Sequence, residues 1–117
     1  MGVAVEYDCF ESESDALALL QSAGMHTMAL AVPPVNNSTH WHHFDSVFFI
    51  LEGSLELTDA ASGVTHQCRL GCRISVPAKA LHYELSTTGY RIALGTSVPA
   101  SEFGEPVNLP PATLNVS

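Results

Sequence analysis

The sequence predicts an all-β barrel or sandwich with one short helix near its N-terminus. Short segments that are apolar throughout, or that alternate apolar and polar residues, recur along the chain as strands require. Turn-forming clusters such as Ala60-Ala61-Ser62-Gly63 and Ser86-Thr87-Thr88-Gly89 separate them. A single stretch carries helix start and stop signals. With 117 residues, 46% apolar and only 14% charged, the chain has core-forming material for one folded domain, 1–117, and does not resemble a disordered one.

In order, residues 1–10 read as a lead-in or short edge strand. The helix is expected over about 12–23: Ser12 or Ser14 caps it, Glu13 and Asp15 favour the positive end of its dipole, and Gly24 ends it. Ala16, Leu17 and Leu20 form its apolar face, which is expected to lie on the barrel wall. Residues 25–32 form a strand stopped by Pro33 and Pro34, and 35–39 a polar loop. Residues 40–52 form the next strand, whose run Val47 to Leu51 is apolar on both faces. A strand apolar on both faces needs a second sheet or a partner chain outside it, so a homodimer is expected. Further strands follow at 54–59, 64–70, 71–77, 81–85 and 90–96. From residue 98, Pro99, Pro106, Pro110 and Pro111 impose extended chain that wraps the domain or a partner.

Net charge is −8, and the only cations are Arg69, Arg73, Lys79 and Arg91. Nucleic acid and anionic membrane surfaces require clustered Lys and Arg, so neither is an expected partner. No run reaches the roughly twenty apolar residues of a membrane span. The N-terminus lacks the basic start and apolar run of a secretory signal. Cys9, Cys68 and Cys72 are an odd set and read as thiols, so the expected compartment is the cytoplasm.

The chemistry-bearing stretch is His40-Trp41-His42-His43. In extended chain His40 and His42 face the same side and His43 the other. If 40–52 and 82–85 are neighbouring strands, His82 brings a third imidazole to one point. Three neutral imidazoles make a site for one divalent first-row metal, with Fe, Mn, Ni, Cu and Zn all admissible. The alternative is a metal-free barrel whose histidines are simply hydrogen-bonded. Glu84, two residues after His82, either shares the inward face as ligand or general base, or turns to solvent at the rim. Asp45 either orients or supplements the histidines or is a solvated turn residue. Tyr83 and Tyr90 either offer phenols to a ligand or are core or rim aromatics.

These residues carry a resemblance. The chain resembles a small single-domain cupin of the RmlC-like superfamily, whose motifs are written G-x5-H-x-H-x3-4-E-x6-G and G-x5-P-x-G-x2-H-x3-N. His40, His42 and Gly53 match the first, and Gly71, Pro77 and His82 the second. The likeness spans about residues 25–97. It implies a double-stranded β-helix (jelly-roll) barrel over that range, the helix before it, a Pro-rich extension over 98–117, and a metal on His40, His42 and His82. The chain departs from the motifs at Pro34, Lys79 and Ser86. The motif's ligating Glu falls on Ser46, or on Val47 with the longer spacing. Cupins with three histidines and no ligating Glu are similar to thiol and diketone dioxygenases, so the departure does not remove the metal.

The expected function is a metal-dependent enzyme, of dioxygenase or lyase, isomerase or cyclase type. Its substrate is a small, weakly charged metabolite held against Phe48, Ile50, Leu55 and Leu57, with Glu84 or Asp45 moving protons. The alternatives are a non-catalytic small-molecule-binding or sensor module, and a metal-free acid–base enzyme.

Overall fold

The computed structural model of the chain describes residues 2–114. In chain order its elements are β1 (Ala4–Glu6), α1 (Glu13–Ser22), β2 (His26–Val32), β3 (Val35–Asn36), β4 (Ser46–Asp59), β5 (Val64–Arg69), β6 (Arg73–Val76), β7 (His82–Ser86) and β8 (Tyr90–Thr96). A 3₁₀ turn (Ala100–Glu102) and a short helix, α2 (Pro111–Leu114), follow. No helix among the described residues is long and apolar enough to cross a membrane.

The two segments expected at 40–52 and 54–59 are one long strand that belongs to two sheets. The first half of β4 lies between β6 and β8, with β1 beyond β6 and β2 beyond β8. Its second half lies between β5 and β7, with β3 beyond β7. Every pairing is antiparallel, and the sheets enclose a jelly-roll barrel. The passage from one sheet to the other occurs where the register slips between Ile50 and Glu52. Gly53 follows in the left-handed region (φ 78°), and a side chain there would run into the Gly89 carbonyl.

The apolar run of β4 divides between two cores. Phe48 and Ile50 join Leu55, Leu57, Ile74 and Ile92 inside the barrel. Phe49 and Leu51 face outward and pack with Ala16 and Leu20 of α1, with Val47 beside them. Phe10 closes edge-on to Phe49, with ring centroids 5.1 Å apart. The outer layer, expected from a second sheet or a partner chain, is thus supplied by the chain's own helix, so the two-sided apolar run is covered without a second chain. Ser12 caps α1 as expected, its hydroxyl accepting from Asp15 N at 3.1 Å. The helix sits so close to β8 that a Cβ on Gly95 would stand 2.7 Å from Leu20 Cδ2. Arg91 of β8 ties the helix down by pairing with Glu13, and also with Glu52 of β4.

Three further expectations change. Residues 35 and 36, read as loop, form β3 on Leu85 and Ser86 of β7; two residues after a Pro pair carry no periodicity to betray a strand. Residues 40–45 are not a ladder strand: His40 bridges His82, but Trp41 bridges Leu109 in the tail, so the segment changes partners at each step. The tail lies against its own barrel, and it includes α2, which starts on Pro111 where a first helical position tolerates proline. Residues 115–117 of the extension fall outside the described residues.

The motif glycine replaced by Lys79 leaves its mark on the backbone. Lys79 retains φ 70°, a left-handed conformation unfavourable to a side chain with a Cβ. Hydrogen bonds hold it there: Lys79 N donates to His42 O at 2.8 Å, Ala78 N to Asp45 Oδ1 at 2.7 Å, and Ala80 N to Pro77 O at 3.1 Å. The Lys79 side chain is exposed. Lys79→Gly is therefore expected to raise stability by about 1 kcal/mol, strain relief exceeding the added entropy of the unfolded glycine. A urea midpoint that falls instead would show that the turn is not strained.

Candidate metal centre

Three imidazoles from two distant segments meet inside one end of the barrel. His40 and His82 are brought together by a pair of backbone hydrogen bonds, His40 N to His82 O at 2.9 Å and His82 N to His40 O at 3.0 Å. Their ring centroids lie 4.3 Å apart, and each lies 5.1 Å from that of His42. One ring nitrogen from each of the three lies within 4.8 Å of the others. This is the set expected from the spacing, and His43 points elsewhere, exposed and bonded to Phe103 O.

Each histidine spends its Nδ1 on a backbone carbonyl: His40 on Ser38 O at 2.8 Å, His82 on Ala80 O at 2.8 Å and His42 on Val107 O at 3.0 Å. A carbonyl only accepts, so each Nδ1 carries the proton and each neutral ring keeps its lone pair on Nε2. That is the arrangement by which proteins fix histidine ligands. Burial pushes the His82 pKa down to about 4 and that of His42 below its ordinary value, with the neighbouring His40 lowering both further. Both rings are thereby neutral near pH 7. His40 Nε2 is fully buried and makes no hydrogen bond, a state that costs about 1–3 kcal/mol unless something accepts the lone pair. A divalent cation does so, and the donor set fits one.

Glu84 faces inward, with its side chain 16% exposed, so the solvent-facing alternative does not hold. Its Oε1 lies 3.7 Å from His40 Nε2, beyond hydrogen-bond reach, and its Oε2 accepts from the Tyr90 hydroxyl at 2.9 Å. Burial and the adjacent Glu84 push the Tyr90 pKa well above its ordinary value, so the phenol stays protonated and keeps donating. Asn37 pins this part of β7 twice, through Asn37 N to Glu84 O and Glu84 N to Asn37 Oδ1. Asp45 does not join the converging donors. It is exposed, and its carboxylate holds the turn that leads into His82 through Ala78 N. Ser46, in the motif's Glu position, is buried on the cavity wall.

The cavity beside the histidines holds about 250 Å³. Phe48 and Leu57 line it as expected, whereas Ile50 and Leu55 are packed in the core behind it. No Lys or Arg lines it, and Glu84 is its only acid. Tyr90, one of the two phenols the sequence offered, lines it, whereas Phe44 and the tail's Phe103, Val107 and Asn108 were missed by sequence reasoning. Tyr90 had a signal, since it shares parity with inward Ile92; the tail residues had none. A second hollow of about 290 Å³ lies outside the barrel beneath α1, but no histidine reaches it.

The buried neutral histidines set a pH dependence for the metal-free protein. Between about 4 and 6.5 the unfolded chain binds a proton at His82 that the native site refuses, so stability falls as pH drops through this window. Chelator-treated protein is expected to melt at a lower temperature near pH 5 than near pH 7.5, with a shallower dependence in His82→Gln. A wild-type slope no steeper than the variant's would refute the buried neutral ring.

No protein-family model and no curated protein matches the chain. Solved structures do. The acireductone dioxygenase from Bacillus anthracis, solved with a cadmium ion in its active centre, matches with a TM-score of 0.57 at 17% identity, covering 84% of this chain and 79% of that one. Protein NMB1881 from Neisseria meningitidis matches with a TM-score of 0.53 at 25% identity, over 62% of this chain and 73% of that one. An RmlC-like cupin from Shewanella frigidimarina matches with a TM-score of 0.50 at 21% identity, over 66% and 71%. The jelly-roll topology and these likenesses agree: the chain has a cupin fold.

Proposed function

We propose that this protein is a metal-dependent enzyme that acts on a small, weakly charged metabolite inside the barrel, by dioxygenase or lyase, isomerase or cyclase chemistry. The observation that carries the reading is the convergence of three Nε2 lone pairs, each fixed by an Nδ1–carbonyl bond, beside a single carboxylate in an otherwise largely apolar cavity.

His40, His42 and His82 would hold one divalent transition metal, which supplies Lewis-acid or redox chemistry at its open positions. Glu84 is the general base. Among the described residues its Oε1 accepts no hydrogen bond, and it stands at the edge of the histidine cluster, where it can take a proton from a substrate C–H or O–H. Tyr90 holds the other oxygen and fixes the carboxylate's direction. Asp45 acts at one remove, as a positioning residue for the turn before His82. The cavity wall of Phe44, Phe48, Leu57 and Ile92, without Lys or Arg, favours a substrate that enters uncharged or nearly so.

The test is metal content by elemental mass spectrometry on untagged protein, with His82→Ala and Glu84→Gln alongside. About one transition metal per chain is expected in the wild type and in Glu84→Gln, and none in His82→Ala. Once the element has directed the substrate screen, Glu84→Gln is expected to lower kcat by about 10²–10⁴-fold with the metal retained. A wild-type protein that takes up no metal after reconstitution would overturn the mechanism. Tight ligand binding without turnover would assign the protein to the binding-module class.

A further inference from the structure

The three histidines are not positioned alike. His40 and His82 each bond to the carbonyl two residues upstream, Ser38 and Ala80, so local chain sets both rings. The acceptor for His42 is Val107 O, 65 residues away in the tail. This third ring has its tautomer and direction fixed only when the tail is in place.

The tail meets the barrel along the segment that carries His42. Trp41 N donates to Leu109 O at 3.0 Å, and Leu109 N returns a bond to Trp41 O at 2.9 Å. The Trp41 indole donates to Pro110 O at 3.0 Å, and His43 Nε2 bonds to Phe103 O at 2.7 Å. The Phe103 ring stacks on Phe44 at 4.5 Å and 13°. Residues 104–108 are exposed, and among the described residues the tail's one ladder contact with the barrel is the bridge at Leu109. A segment held by so few contacts opens locally at far lower cost than the sheets do. Phe103, Val107 and Asn108 also wall the cavity, so opening would uncover the cavity and release His42 together.

We propose that residues 103–110 form a strap that completes the metal centre through Val107 and His42, so that cation binding and strap docking each favour the other. Trp41 and Phe103 are positioning residues for this strap. The proposal rests on the metal-centre reading above. By linkage the two effects share one factor: whatever the docked strap adds to cation affinity, the cation adds to strap docking. Loss of such an outer partner of a histidine ligand costs about 10–100-fold in metal affinity.

The test uses the full chain and Zn²⁺ alone as probe. Hydrogen exchange of the Leu109 amide, which reads strap opening directly, is expected to slow by about 10–100-fold at saturating Zn²⁺. The double variant Trp41→Ala/Phe103→Ala is expected to bind Zn²⁺ more weakly by a similar factor, and to exchange Leu109 rapidly with or without Zn²⁺. A Leu109 rate unchanged by Zn²⁺ in wild-type protein that does bind it would overturn the strap and leave the metal centre standing. Wild-type protein that binds no Zn²⁺ would overturn both, a result distinct from the first.

Discussion

Three hydrogen bonds from imidazole Nδ1 to backbone carbonyls are the constraint on which the centre of this molecule depends. Each holds one proton on the outer ring nitrogen and so leaves a lone pair on the inner one. Without them a buried ring could turn its N–H inward and satisfy itself against Glu84 or a neighbouring imidazole. With them, His40 Nε2 is left buried without a hydrogen bond. The folded chain carries that cost because its backbone is committed elsewhere: Ser38 follows β3, Ala80 closes the turn before β7, and Val107 belongs to the tail. Three separate parts of the fold must be correct before three lone pairs can meet.

The barrel can hold such a site because its long central strand is covered on both faces. The bulge after Ile50 and the turn at Gly53 let β4 leave one sheet and enter the other, which brings β7 and its histidine across from the first motif. Outside, α1 packs onto Phe49 and Leu51, and Arg91 links it to Glu13. The cations are spent on this exterior: Arg73 on Glu6, Arg91 on two glutamates and Arg69 on the Tyr7 ring. The interior receives none. Most of the net charge of −8 therefore lies at the surface, while the cavity holds one carboxylate.

Much of this was legible from spacing. The alternation of strand faces placed His40 with His42 and offered Glu84 beside His82 as one of two readings, and both needed only local chain. The helix, its Ser12 cap and its inward Ala16 and Leu20 were legible for the same reason. What escaped was set by pairing between remote segments. The Pro-rich tail announces extended chain but not that Val107 O will receive a proton from His42. Trp41 shows no sign that its partner is Leu109 rather than β7. The two-sided apolar run suggested an outer layer correctly, but apolarity does not say whose residues supply it. Lys79 looked like a broken motif, yet its backbone keeps the glycine conformation because His42 O and Asp45 hold the turn from outside.

The missing motif carboxylate takes on a different meaning once Glu84 is located. Ser46 occupies the motif position on β4 and brings no charge, so three neutral imidazoles would leave a divalent ion's charge unbalanced in a medium of low dielectric. The compensating anion stands instead on β7, close to the cluster but held by Tyr90. A carboxylate that ligates neutralises the centre permanently and gives up its basicity. One that stands off keeps an oxygen free for a proton. On the proposed mechanism Glu84 would lose its charge at the moment the substrate gains one, and the total charge inside the barrel would be unchanged. A neutral substrate that enters and reacts as an anion suits this cavity, which has no Lys or Arg to hold an anion beforehand. On the proposed mechanism, a carboxylate carried on β7 instead of at the Ser46 position of β4 serves as a base and not as a ligand, with no change in the charge that the fold must bury.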